Sequence, residues 1–133
     1  MNEYISHKER SDLKNKKDTE KLTGVVKDIV YDNIQLPAIF VGYKFPEQTH
    51  PDIYALDMLN EVLSGGSSSR MNKTIVEKKE MAVQAFSFNY GLEDAGIGIM
   101  AAVAPKEVSL DTLLNALDTQ IAAIKSELIS EEE

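Results

Sequence analysis

Two histidines, His7 and His50, and one glycine- and serine-rich turn, Gly65-Gly66-Ser67-Ser68-Ser69-Arg70, are the residues of this chain whose types could do chemistry. A hydrolytic zinc site needs about three protein ligands and an open coordination position, commonly two His on one helix face with a carboxylate nearby for proton transfer. His7 opens His7-Lys8-Glu9-Arg10-Ser11 and His50 opens His50-Pro51-Asp52-Ile53-Tyr54, so neither completes the H-x-x-E-H spacing. His50 reads instead as a residue at a helix entrance, and His7 as an exposed one. The absence of Cys excludes disulfides, thiolate metal sites and a Cys nucleophile. A Ser nucleophile requires a His within reach, and the sequence pairs none with one.

The turn from Gly65 to Arg70 has two readings. Backbone N–H groups at a helix start, three hydroxyls and the Arg70 guanidinium all favour negative charge, which would suit a peptide carboxylate. A phosphate loop would need G-x-x-x-x-G-K-[ST], which is not present. The plainer reading is a double cap: Gly65 ends one helix where a positive φ is needed, Gly66 adds freedom to turn, and Ser68 or Ser69 caps the next.

The elements around the turn follow from periodicity. Residues 25–31 are rich in β-branched side chains and precede the turn-forming pair Asp32-Asn33, predicting a strand and a turn. Residues 36–45 are almost continuously apolar, predicting a strand covered on both faces or central in its sheet, with Pro37 at its start. Thr49 or His50 near the N-cap, Pro51 in the first turn and Asp52 at the positive end of the dipole predict a helix whose stripe is Ile53, Leu56, Leu59 and Leu63. A second helix is expected at about residues 70–79, with Met71 and Ile75 inward. Phe86, Phe88 and Tyr90 alternate with Ala85, Ser87 and Asn89, and a loop at 91–96 leads to Ile97, Ile99, Ala101 and Val103, which is a β-hairpin with its aromatic stripe in the core. A ligand-stacking platform is the other reading of that stripe. Met58, Met71, Met81 and Met100 are expected to fill gaps in the core. Ser109 caps the clearest helix, with Leu110, Leu113, Leu114, Leu117, Ile121, Ile124 and Leu128 in one stripe. Ser130 followed by acids resembles the start of a further helix.

The expected fold class is therefore α+β: a mainly antiparallel sheet with helices packed on one face, in the order ββααββα, forming a two-layer sandwich. Residues 1–23 read as a charged linker or solvated helix, and 24–133 as one domain. Hydrophobic residues at 43% and charged residues at 27% are ordinary globular values. A net charge of −8 with no Lys cluster free of nearby acids argues against a nucleic-acid partner. No apolar run approaches the roughly 18–20 residues of a membrane span. The lack of Cys and of an apolar leader fits a soluble protein of the cytoplasm or the periplasm equally well.

The segments Leu36-Pro37-Ala38-Ile39-Phe40-Val41-Gly42-Tyr43, Tyr54-Ala55-Leu56-Asp57-Met58-Leu59-Asn60, Leu63-Ser64-Gly65-Gly66-Ser67-Ser68-Ser69-Arg70 and Val76-Glu77-Lys78-Lys79-Glu80-Met81-Ala82 together carry a resemblance to the pitrilysin/insulinase zinc peptidases, over roughly residues 25–130. Members of that family pair homologous α/β units, each of two subdomains, into a clamshell around an extended peptide. The resemblance implies that this chain corresponds to the second subdomain of one unit, truncated at both ends. The H-x-x-E-H helix and the later Glu ligand would then belong to a preceding subdomain outside this sequence. In the half of these enzymes without zinc, an Arg and, seven residues on, a Tyr reach the substrate; here those positions are Val76 and Val83, which points to the zinc-bearing unit. A related processing peptidase has a glycine-rich loop that handles substrate, which makes Gly65, Gly66, Ser67, Ser68, Ser69 and Arg70 the possible substrate-contact loop.

The resemblance thus implies a non-catalytic structural or substrate-chamber subdomain of a peptide-hydrolysing zinc metalloendopeptidase, inactive alone. It implies no cofactor in this chain and zinc in the parent. The implied partners are the missing zinc-binding subdomain, the second homologous half and peptide substrate; an apolar face left bare would favour self-association. The alternatives are a peptidase-derived, non-enzymatic interaction or scaffold protein, and an unrelated α+β ligand-binding module, the latter requiring a solvent-accessible aromatic stripe.

Overall fold

The computed structural model describes residues 21–131. The charged segment at 1–20, with His7, and the last two acids of the chain lie outside the described residues. The elements run β1 (Ala38–Phe45), α1 (Ile53–Ser64), a π-helix (Asn72–Lys78), β2 (Gln84–Gly91), β3 (Gly96–Val103) and α2 (Leu110–Ser126). The class is α+β as expected, but the order is βααββα. The strands form one antiparallel sheet in the order β1-β3-β2, with Phe40 and Phe86 flanking Ala101 in register.

Residues 25–31, expected as the first strand, pair with nothing in the sheet and are exposed, Val25 and Tyr31 each at 91%. Their β-branched content favours extended backbone, yet a strand exists only where a neighbour accepts its ladder bonds. β1 likewise departs from expectation: it is an edge strand, and only one of its faces is covered. Ile39, Val41 and Tyr43 point into the core, while Phe40 on the opposite side is 69% exposed. Pro37 does precede the strand as expected, and its carbonyl accepts the Ala104 N–H at 2.9 Å.

The core lies between the sheet and the helices. Met71 just before the π-helix and Ile75 within it, Leu113 and Leu117 from α2, and Leu63 from α1 meet Met100 and Ala102 of β3 and Ala104 just beyond it. Alanines at the last two positions let the helices lie close, as their small size predicts. Ser109 caps α2, accepting the Thr112 N–H at 3.2 Å. Leu128 falls beyond α2 and is exposed, whereas Gln120 takes a buried place on the helix's inner face. Met58 is also exposed, so it fills no gap in the core.

α1 begins at Ile53 rather than near Thr49, and His50 contributes a cap-like bond: its Nδ1 accepts the Asp52 N–H at 3.2 Å. The second expected helix is present, but wound with π geometry over most of its length. It ends at Glu80, a non-glycine residue with φ of +50°, after which the Met81 N–H reaches back to the Ile75 carbonyl at 2.9 Å. β-branched Thr74, Ile75 and Val76 in succession crowd a tight helix and favour the wider turn.

Candidate functional site

The 65–70 turn sits at one corner of the helical layer. The Gly65 N–H closes α1 on the Glu61 carbonyl at 2.7 Å, but Gly65 has φ of −72°, so the positive φ expected there falls instead to Gly66, at +99°, a conformation side chains disfavour. The expected cap from Ser68 or Ser69 is not made: the following helix has no side-chain cap bond. Asn72 instead closes the turn, its Nδ2 donating to the Ser67 carbonyl at 3.0 Å. Gly65, Gly66, Ser67 and Ser68 face solvent, while Ser69 is buried with a hydroxyl that makes no hydrogen bond. Arg70 is mostly buried, with Nη1 3.9 Å from Glu127 Oε2 just past α2. The three hydroxyls therefore do not converge with the guanidinium on one point. Arg70 turns instead toward an open cleft of about 500 Å³, whose walls include Lys73, Thr74 and Gln120.

His50 stands alone at the mouth of α1, beside Asp52, with Nδ1 3.6 Å from Oδ2. Among the described residues no three His, Asp or Glu side chains come together as a metal site. Two potential donors, one of them an exposed carboxylate, do not fit a hydrolytic zinc centre.

The aromatic stripe of β2 lies on the open side of the sheet and not in the core, where its alternation predicts it. Phe86, Phe88 and Tyr90 lie on the face of the sheet opposite Ala85, Ser87 and Asn89, which turn toward α1. Ser87 Oγ donates to Asn60 Oδ1 at 2.6 Å, and Asn89 Nδ2 donates to the Leu56 carbonyl at 2.9 Å. The aromatic residues thus point away from the helices, and by the same alternation so do Phe40, Ile97, Ile99 and Val103. Phe86 and Phe88 stack with ring centroids 6.3 Å apart, and Tyr90 is 58% exposed. The polar partners Ser87 and Asn89 were the signal: they are the residues able to bond with a helix laid over the strand.

This α+β fold has counterparts among known proteins. The family model described as the peptidase M16 inactive domain matches residues 1–133. The chain belongs to this family. It is a pitrilysin-type inactive domain homologous to zinc proteases, as the resemblance implied. That membership removes the unrelated ligand-binding module, even though its condition, an accessible aromatic stripe, is met.

Zinc protease PqqE of Helicobacter pylori is 32% identical to this M16 inactive domain over 102 residues, which are 77% of this chain and 23% of that protein. The crystal structure of a protease from Helicobacter pylori superposes with a TM-score of 0.73 at 30% identity, covering 77% of this chain and 25% of the other. An inactive peptidase domain from Bordetella parapertussis shares the fold, with a TM-score of 0.63 at 22% identity over 77% of this chain and 57% of that one. The chain thus spans about a quarter of the Helicobacter protease it matches. Of the two positions compared with the zinc-free half of such enzymes, Val76 packs against the core and Val83 is exposed. Neither offers a polar group to substrate.

Proposed function

We propose that this M16 inactive domain is a structural, substrate-chamber part of a zinc metalloendopeptidase, with the metal and its general base supplied by a segment outside this chain. The observation that carries the reading is the bare sheet face. Phe40, Phe86, Phe88, Tyr90, Ile97 and Val103 form an apolar wall over which no helix of the described residues lies, and contiguous exposed apolar surface marks interaction sites. Such a wall suits the apolar side chains of an extended peptide. The exposed residues of the turn, Gly65, Gly66, Ser67 and Ser68, are a possible second contact. Val76 and Val83, lacking the polar groups of a zinc-free half, support placement in the zinc-bearing unit.

The reading makes two demands on the purified chain. Supplied with zinc, it leaves a quenched-fluorescence peptide uncut, since it lacks a ligand set; hydrolysis would sink the proposal. In fluorescence polarisation it binds labelled apolar peptides more tightly than polar ones of equal length, and Phe88→Lys removes that preference. Equal binding of both peptides would count against a chamber wall and favour a scaffold role.

A further inference from the structure

The two edges of the sheet are not equivalent. On β2, the Ser64 hydroxyl of α1 accepts the Ser87 N–H at 2.9 Å and lies 3.1 Å from the Ser87 carbonyl, occupying the outward groups a neighbouring strand would use. Among the described residues, no side chain bonds the outward backbone groups of Ala38, Phe40 or Gly42 on β1 in this way. The Ala104 N–H bonds the Pro37 carbonyl, and β1 pairs with β3 in unbroken register from Ala38 to Phe45. By alternation the odd-numbered residues spend their backbone groups on β3, and Ala38, Phe40 and Gly42 direct theirs outward. Among the described residues, no backbone bond to another element uses the outward groups of Ala38, Phe40 or Gly42. An uncovered edge of this kind is a template for a further strand.

The same chain carries an unpaired segment of matching character. Residues 25–31, Gly24 excluded, read Val-Val-Lys-Asp-Ile-Val-Tyr, seven residues against the eight of β1. They belong to no helix or strand and make no ladder bond among the described residues, and Val25, Val26, Ile29, Val30 and Tyr31 are all at least 70% exposed. In a strand, Val25, Ile29 and Tyr31 would face one side and Val26 and Val30 the other. That suits a sheet with apolar surface on both faces, as this one has. Within one copy the segment lies off the edge, with Lys27 Nζ 3.8 Å from Asp111 Oδ1 at the start of α2 and both side chains exposed.

We propose that two copies of this chain exchange residues 25–31, each segment adding as a strand to the β1 edge of the other along Ala38, Phe40 and Gly42. Donor and acceptor reside on the same polypeptide, so the exchange is reciprocal about a two-fold axis and covers both β1 edges, with the added segments as the new outer strands. Each copy then gains backbone bonds at Ala38, Phe40 and Gly42 and covers its exposed apolar segment. The Ser64 cover directs the exchange to β1 and away from β2.

Sedimentation velocity and amide hydrogen exchange on the full chain test this. The expected result is a dimer at tens of micromolar, with the Ala38, Phe40 and Gly42 amides protected roughly tenfold or more relative to dilute protein. Ile29→Pro, at an exposed position outside the core, should weaken the dimer roughly tenfold or more, because proline cannot donate within a strand. Phe88→Lys, on the open face, should leave it intact. A monomer at all concentrations overturns the proposal, whether or not those amides are protected; protection in a monomer would mean that the segment folds onto its own edge. A dimer that survives Ile29→Pro but dissociates with Phe88→Lys overturns it as well, in favour of face-to-face stacking.

Discussion

The ring of Phe45, at the end of β1, lies directly over Gly98 of β3. A Cβ built on Gly98 would overlap the ring, standing 2.6 Å from Cε2. The two residues are diagonal across the antiparallel ladder, since Phe45 pairs with Gly96 and Gly98 pairs with Tyr43. The aromatic ring thus fills the space that the missing side chain leaves on the helix side of the sheet. Gly98→Ala should displace the ring and cost about 1–3 kcal/mol, the usual range for overpacking. Urea denaturation checks this, and a change below about 0.5 kcal/mol would mean that the ring moves aside freely.

Ser64 and Ser87 join α1 to the sheet through hydroxyls 2.8 Å apart, continued by Ser87 to Asn60. Ser64→Ala removes the partner of the Ser87 backbone without adding bulk. The seam is only part-buried, so water replaces some of what is lost, and a cost of about 1 kcal/mol is expected. In hydrogen exchange the Ser87 amide should lose protection selectively, while the amides of β3 keep theirs.

Glu80 holds a left-handed backbone at the end of the π-helix, where glycine carries no steric penalty. Glu80→Gly relieves roughly 1–2 kcal/mol of strain, offset in part by the larger entropy of an unfolded glycine. The net expectation is a gain of about 0.5–1 kcal/mol, read as a rise in the denaturation midpoint with an unchanged slope.

Burial, and secondarily the Asp118 carboxylate, raise the Tyr43 phenol above its ordinary 10.0. The folded chain therefore holds this proton more tightly than the unfolded chain does. The contribution is fully present below pH 10.0 and is lost as pH rises through the folded value, so stability falls on the alkaline side. Tyr43→Phe should flatten that alkaline decline, measured by thermal melts between about pH 9 and pH 11.

Much of this architecture is written locally. Ser109 before a stripe of leucines predicts α2 because a side-chain cap and a 3.6-residue period are properties of one segment. The 84–103 hairpin follows from alternation and a short loop, and the alanines at 102 and 104 announce closely packed helices. Peptidase family membership was legible too, carried by motifs spread from Leu36 to Ala82 whose order survives without any knowledge of contacts.

Tertiary structure alone decided which side of a strand is inside and which strand has a neighbour. Alternation in β2 separates Phe86, Phe88 and Tyr90 from Ser87 and Asn89, but a period of two carries no sign: hydrophobicity assigns the aromatics to the core, whereas hydrogen bonding from Asn60 and Ser64 draws the polar set under α1. Residues 25–31 have strand propensity and no strand, because ladder bonds need a partner that no single segment encodes. The turn from Gly65 to Arg70 shows the same division. A glycine with positive φ follows from backbone geometry, although it is Gly66 rather than Gly65, while the burial of Ser69 and the turning of Arg70 toward Glu127 depend on α2, which lies some forty residues further along the chain and meets the turn only in the folded state.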